Sequence, residues 1–171
     1  ALFSAAISSC TPHYTPPPTL PPSIRQISTP AETQKWLDTV LTYEHDNVQY
    51  GEDDFWAPCA LTYSHKKGDC EDYAICAAAI LQRDVDEGFI IAAYNPKTNN
   101  AHAVFAYRLG GKWGVISNTN SEVRDPEYLS RHNVVLSSLS EKYSEYRVFD
   151  YQGLDLVNGN SDLEESIKQK Q

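Results

Sequence analysis

Apolar positions along this chain change period part-way. Trp36, Leu37, Val40 and Leu41 recur at helical spacing. In front of them, Thr29-Pro30-Ala31-Glu32 supplies an N-cap threonine, a proline at the first helical position and a glutamate at N3. A helix is therefore predicted from residue 30 to about 43. Residues 45–56 are polar and acidic and read as a loop. A second helix is predicted over 70–83, where Tyr73, Ala74, Ile75, Cys76, Ala77, Ala78, Ala79, Ile80 and Leu81 follow Gly68-Asp69. Its alanines suit close packing on a sheet. The period then shortens to strands over 89–94, 101–109 and 112–119. Asn95-Pro96-Lys97 turns the first of these, and Gly110-Gly111 marks a tight hairpin. Residues 125–144 read as loop or helix and 146–151 as a last strand. Helices first and an antiparallel sheet afterwards predict an α+β domain.

The hairpin also predicts a register. A two-residue turn pairs Leu109 with Lys112, which sets His102 opposite Thr119 and diagonal to Ser117, with Asn118 on the other face. A three-residue loop would shift the register by one and bring Asn118 to the His102 side.

Composition narrows the setting. The chain has 171 residues, 41% of them hydrophobic, with 11 Tyr and 3 Trp, enough for one domain with a real core. A net charge of −9 argues against nucleic acid as a partner. No apolar run approaches the roughly 20 residues that span a membrane. Residues 1–10 read as a signal-peptide remnant, and Ile7-Ser8-Ser9-Cys10 resembles a bacterial lipobox whose cysteine, Cys10, is lipidated. An ordinary secretory cleavage region with an incidental cysteine accounts for the same residues. Residues 11–24 read as a proline-rich linker, 25–155 as the folded domain and 156–171 as a polar tail. The expected location is the periplasm or cell surface, lipid-anchored or secreted, with membrane contact only through the N-terminal anchor.

Cys70 falls at a helix start, where unpaired N–H groups and the helix dipole favour a thiolate nucleophile. Of five histidines, His102 alone lies inside a clear strand, on the face of Val104 and Ala106. A strand imidazole behind a helix-terminal thiol can act as its base. Cys59 and Cys76 are left over, and the sequence leaves open whether they pair in an oxidising compartment.

Three segments carry a resemblance: Asp54-Phe55-Trp56-Ala57-Pro58, Gly68-Asp69-Cys70-Glu71-Asp72-Tyr73-Ala74 and His102-Ala103-Val104. In this order the chain resembles the bacterial transglutaminase-like cysteine peptidases of the papain-like and transglutaminase-like group. The resemblance implies an α+β fold in which N-terminal helices present the nucleophile at a helix start against an antiparallel sheet. It also implies a Cys-His-Asp triad, a peptidase domain over 25–155 and, in some members, calcium-dependent periplasmic release of surface adhesins. One position departs from the pattern. Ser117 stands where the family has its aspartate, and Asn118 matches the asparagine after it. Either Ser117 or Asn118 is thus the expected third member; an asparagine can orient imidazole, a serine hydroxyl stabilises imidazolium less than a carboxylate, and a weakened triad or a Cys-His pair is expected.

The acids beside the nucleophile pull in two directions. Asp69, Glu71 and Asp72 suit a helix N-terminus, yet they raise a neighbouring thiol's pKa. Capping with salt bridges to Lys66, Lys67 or arginines would relieve this, and so would Ca²⁺, which takes oxygen ligands. In calcium-dependent family members the matching acids hold the ion. No cofactor is required for the chemistry itself. Oxyanion donors are expected from the Cys70 backbone N–H and the Trp56 indole, although Trp56 reads equally well as a core aromatic. The resulting expectation is an exported cysteine peptidase acting on a protein or peptide through a thioester. Transglutaminase or deamidase chemistry would use the same acyl-enzyme, and a protein-binding module of the same fold with weakened catalysis is the second class.

Overall fold

Residues 19–120, 123, 125–139 and 142–149 are described by a computed structural model. The signal-like segment with Cys10, most of the proline-rich stretch and the 156–171 tail lie outside the described residues.

The first helix, α1 (Pro30–Val40), starts as its sequence demands. The Thr29 side chain accepts from the Glu32 backbone N–H, and Glu32 reaches back to the Thr29 N–H, closing a capping box. It ends at Val40 because Leu41 turns extended and the next two residues form β1 (Thr42–Tyr43). This short strand pairs in parallel with β2 (Lys67–Gly68). A turn of helix, α2 (Asp46–Gln49), interrupts the segment expected to be loop. Beyond it come α3 (Cys59–His65) and α4 (Cys70–Leu81). Lys66 ends α3 in the left-handed conformation, with φ 59°. A disulfide joins Cys59 to Cys76 across α3 and α4, with Cα atoms 4.6 Å apart.

The larger sheet is built from β3 (Glu87–Asn95), β4 (Asn100–Leu109), β5 (Lys112–Ile116) and β6 (Glu145–Phe149). Its order is β5-β4-β3-β6 and every pairing is antiparallel. Gly110 and Gly111, at φ 59° and 79°, make the two-residue turn, so Leu109 pairs with Lys112 as the glycines predict. Pairing stops at Ile116, before residue 119, because Ser117 to Asn120 closes a turn of its own.

One sheet face packs on α4. Ala74, Ala77, Ala78 and Leu81 meet Ile90, Ala103, Phe105 and Tyr107 in the main core. The opposite face holds Phe89, Ile91, Val104, Ala106 and Trp113 under Val134 and Val135 of α5 (Arg131–Ser137). Covering both faces explains why β3 is buried almost continuously instead of at alternate residues. Each large side chain sealed in this way contributes about 1.5–3 kcal/mol. Structure begins within the stretch read as linker up to residue 24. Pro22–Gln26 forms a 3₁₀ turn that buries Ile24, and Leu20 packs on the same core. Apolar side chains there gain more from the core than an extended proline spacer would from solvent.

Candidate functional site

Cys70 is the first residue of α4, and its backbone N–H therefore has no partner in the helix. Its Sγ donates to Glu71 Oε2 at 3.1 Å and accepts a hydrogen bond from the Ala103 backbone N–H. The thiol thus lies against β4 at the residue next to His102. Burial raises the thiol's pKa, and the neighbouring Glu71 raises it further. This reverses the expectation that the helix start alone would favour a thiolate. Cys70 is only 9% exposed, and lost hydration outweighs the dipole.

His102 lies on the sheet face turned away from α4, near the start of β4. Burial lowers its pKa, so the imidazole is neutral at neutral pH. Its Nε2 shares a hydrogen bond of 2.9 Å with Ser117 Oγ. Ser117 Oγ in turn meets Thr119 Oγ1 at 2.9 Å and accepts from the Thr119 N–H at 3.3 Å. Tyr143 stacks on the imidazole, with ring centroids 5.9 Å apart. Beside this group a cavity of about 340 Å³ is lined by His102, Ser117, Thr119, Tyr128 and Leu139 among others. Of the two residues expected to complete the site, Ser117 meets His102. The Asn118 Oδ1 is buried without a hydrogen-bond partner among the described residues. The tight register turns alternate side chains to opposite faces, which is the physical reason.

The acids form a second layer. Asp46, Asp69, Glu71 and Asp72 are all buried. Oxygens of Asp46, Asp69 and Asp72 lie within 4.8 Å of one another, and so do those of Asp46, Asp54 and Glu71. The Phe55 N–H donates to Asp46 Oδ2 and the Ala57 N–H to Asp72 Oδ1. Asp46 Oδ1, Asp69 Oδ1 and Asp72 Oδ2 have no hydrogen-bond partner among the described residues. Burial pushes Asp72 up to about 8 and Glu71 up to about 10, and it raises Asp46 and Asp69 as well. The lysines expected to relieve this charge are engaged elsewhere. Lys67 pairs with Glu44 at 2.9 Å, and Lys66 lies over the Tyr63 ring. Gly68 is part of the same arrangement. A Cβ there would sit 2.7 Å from Asp72 Cβ and 2.8 Å from Asp72 Oδ2, so the glycine before Asp69-Cys70 makes room for a carboxylate.

Two further residues adjoin the acid cluster. The Trp56 indole N–H donates to Asp54 Oδ1 at 3.0 Å and its ring packs on Phe149. Its donor is thus committed two residues away, and an oxyanion role for Trp56 would require that bond to be given up. Asp46 was not legible as a site residue. It comes from a helical turn within a polar stretch, and only folding brings it to Asp69 and Asp72.

A family model described as a transglutaminase-like domain matches residues 23–148. No curated protein matches the chain significantly. Among solved structures, calcium-bound Legionella pneumophila LapG matches with a TM-score of 0.51 at 21% identity, over 78% of this chain and 71% of that one. A further Legionella pneumophila LapG structure gives 0.48 at 18%, over 72% and 67%. The EGTA-treated form gives 0.49 at 18%, over 74% and 73%. The first of these likenesses shows the fold, an α+β papain/transglutaminase-like domain.

Proposed function

Since the chain belongs to the transglutaminase-like domain family, we propose that it is a cysteine acyl-transfer enzyme, and within that class an exported peptidase acting on a protein substrate. One observation carries the reading. His102 Nε2 is held by Ser117 at 2.9 Å, while the Cys70 thiol lies against the N–H of Ala103, the next residue. Consecutive strand residues turn to opposite faces, so the transfer requires the His102 ring to turn towards the thiol; Nδ1, the nitrogen not bonded to Ser117, would then take the proton. Cys70 Sγ attacks the substrate carbonyl carbon as that proton passes to His102. The Cys70 backbone N–H supports the developing oxyanion. The imidazolium then protonates the leaving amine and the acyl group stays on sulfur as a thioester. Water, deprotonated by His102, hydrolyses the thioester and restores the thiol. An amine acceptor in place of water would give transamidation with the same residues.

The decisive measurement is Cys70 alkylation by iodoacetamide at neutral pH, comparing wild type with His102→Ala. Faster labelling in the wild type supports the pair. Labelling no faster than a free thiol, unchanged by His102→Ala, overturns it. That second result would favour the alternative, a binding module of this fold. It has a specific observation behind it: the thiol is bonded to a carboxyl group and a serine stands in the family's aspartate position.

Calcium belongs to the same proposal. Three unpartnered carboxylate oxygens in one buried cluster fit a hard cation better than they fit protein alone. Asp46, Asp69 and Asp72 would hold it, with Glu71 and Asp54 adjoining. The LapG structure is described as calcium-bound, which supports this choice of ion. When bound, the ion would neutralise the acids and so ease ionisation of the thiol. Cys10 as a lipid anchor is likewise proposed, from its lipobox-like setting. Mass spectrometry of the mature N-terminus decides it, and an unmodified peptide spanning Ser9 and Cys10 counts against it.

A further inference from the structure

Gln34 is an amide at a position where a helix normally turns an apolar side chain to the core. It is 2% exposed and lies on α1 beside Leu37. Its Nε2 faces four oxygens: Tyr73 Oη at 2.7 Å, Asn120 O at 2.9 Å, Asp38 Oδ1 at 3.0 Å and Ser117 O at 3.2 Å. Two of these are backbone carbonyls, which can only accept, so the nitrogen must face them. Tyr73 Oη donates to Asp38 Oδ1. Gln34 Oε1 is buried and has no hydrogen-bond partner among the described residues. A buried amide is costly unless bonded, and here its donors are spent on one loop and one helix.

The two partners are the ones that matter for the reaction. Tyr73 stands three residues after Cys70 on α4. Ser117 and Asn120 are the ends of the turn that follows β5, closed by the Asn120 N–H on Ser117 O. That turn carries the Ser117 hydroxyl to His102 Nε2. The same amide therefore bonds to the nucleophile's helix and to the backbone of the base's partner.

We infer that Gln34 is a positioning residue: it ties the Ser117–Asn120 turn to the helix bearing Cys70, and through Ser117 it sets the orientation of the His102 ring. The inference rests on the reading of Cys70 and His102 as a reacting pair. Of the four oxygens only Asp38 Oδ1 belongs to a carboxyl group, and a methionine of the same length would fill the space without holding the turn.

The test uses Gln34→Met, alone and combined with His102→Ala, in the full chain. Alkylation of Cys70 is followed with iodoacetamide, folding by thermal unfolding, and the His102 ring by ¹⁵N NMR. Gln34→Met is expected to fold, to slow labelling roughly tenfold, and to change the Nε2 resonance. Combined with His102→Ala it is expected to add nothing, because both changes act through one imidazole. A folded Gln34→Met that labels at the wild-type rate with an unchanged ring signal overturns the inference. So does a loss that adds in full to that of His102→Ala. If Gln34→Met does not fold, Tyr73→Phe removes one oxygen from the network and keeps the ring; a smaller change of the same kind supports the inference and none overturns it. If His102→Ala leaves labelling unchanged, the reaction assignment fails by itself. The ring signal then decides: altered by Gln34→Met, it sustains the positioning role, and unaltered, it ends it.

Discussion

The two sides of the candidate site are built on opposite principles. Around Cys70 the surroundings are acidic and under-bonded: four buried carboxyl groups, three oxygens without partners among the described residues, and a thiol raised by burial. Around His102 the direct partners are uncharged: the ring meets the Ser117 hydroxyl, which meets Thr119, while Gln34 holds the Ser117 backbone carbonyl. Carboxylates crowded in a low-dielectric interior repel each other and keep their protons. Hydroxyls and amides satisfy one another at no Coulombic cost. The nucleophile's side is therefore open to control by a cation or by pH, while the base's side is fixed by packing.

The largest expected effect breaks the two sides apart. His102→Ala should slow Cys70 alkylation at neutral pH by about 100-fold, with little change in thermal midpoint. A loss of stability without a loss of rate would show that His102 is a packing residue.

Next in size is the acid side's response to pH. Asp72, raised from 3.8 to about 8, and Glu71, raised from 4.5 to about 10, hold more protons folded than unfolded. Stability from these groups is full below their unfolded values and is lost as pH rises through the folded ones. In a chelator the thermal midpoint should fall on the order of 5–10 °C between about pH 5 and about pH 8. Millimolar Ca²⁺ should recover most of that fall, and Asp46→Asn should abolish the recovery. A flat profile, or a calcium response indifferent to Asp46→Asn, would remove the cluster from the site.

Ser117→Asp sharpens the comparison by giving the neutral side a charge. A carboxylate at that point stabilises imidazolium, so alkylation should quicken about fivefold and the pKa of His102, read by NMR, should rise. An unchanged pKa would mean that residue 117 does not set the state of the ring. The smallest effect is expected at Trp56. With its N–H on Asp54, Trp56→Phe should change the labelling rate by less than about twofold; a large drop would restore the indole to the oxyanion site.

Local signals were legible wherever neighbours in the chain decide the outcome. The Thr29–Glu32 capping box, the start of α4 at Cys70 and the Gly110-Gly111 register were all readable, and the register brought Ser117 rather than Asn118 to His102. The α3 helix was missed because it is short and follows Pro58, with no apolar period to announce it. The β5 end was overrun because a turn held by Gln34 leaves no mark at residue 117 itself.

The sequence by itself therefore determined the α+β order, the thiol at a helix start, the histidine on a strand and the serine diagonal to it. Each follows from spacing along one element or across one tight hairpin. Only the tertiary structure decided the Cys59–Cys76 bond, the entry of Asp46 into the acid cluster, the engagement of the Trp56 N–H and the grip of Gln34 on the Ser117 turn. Most of these depend on residues far apart in the chain meeting in a buried space, where an unpartnered polar atom is costly and its nearest neighbour acquires a role. Trp56 and Asp54 are close in sequence, but which acceptor the indole takes still depends on how the fold seats the ring against Phe149.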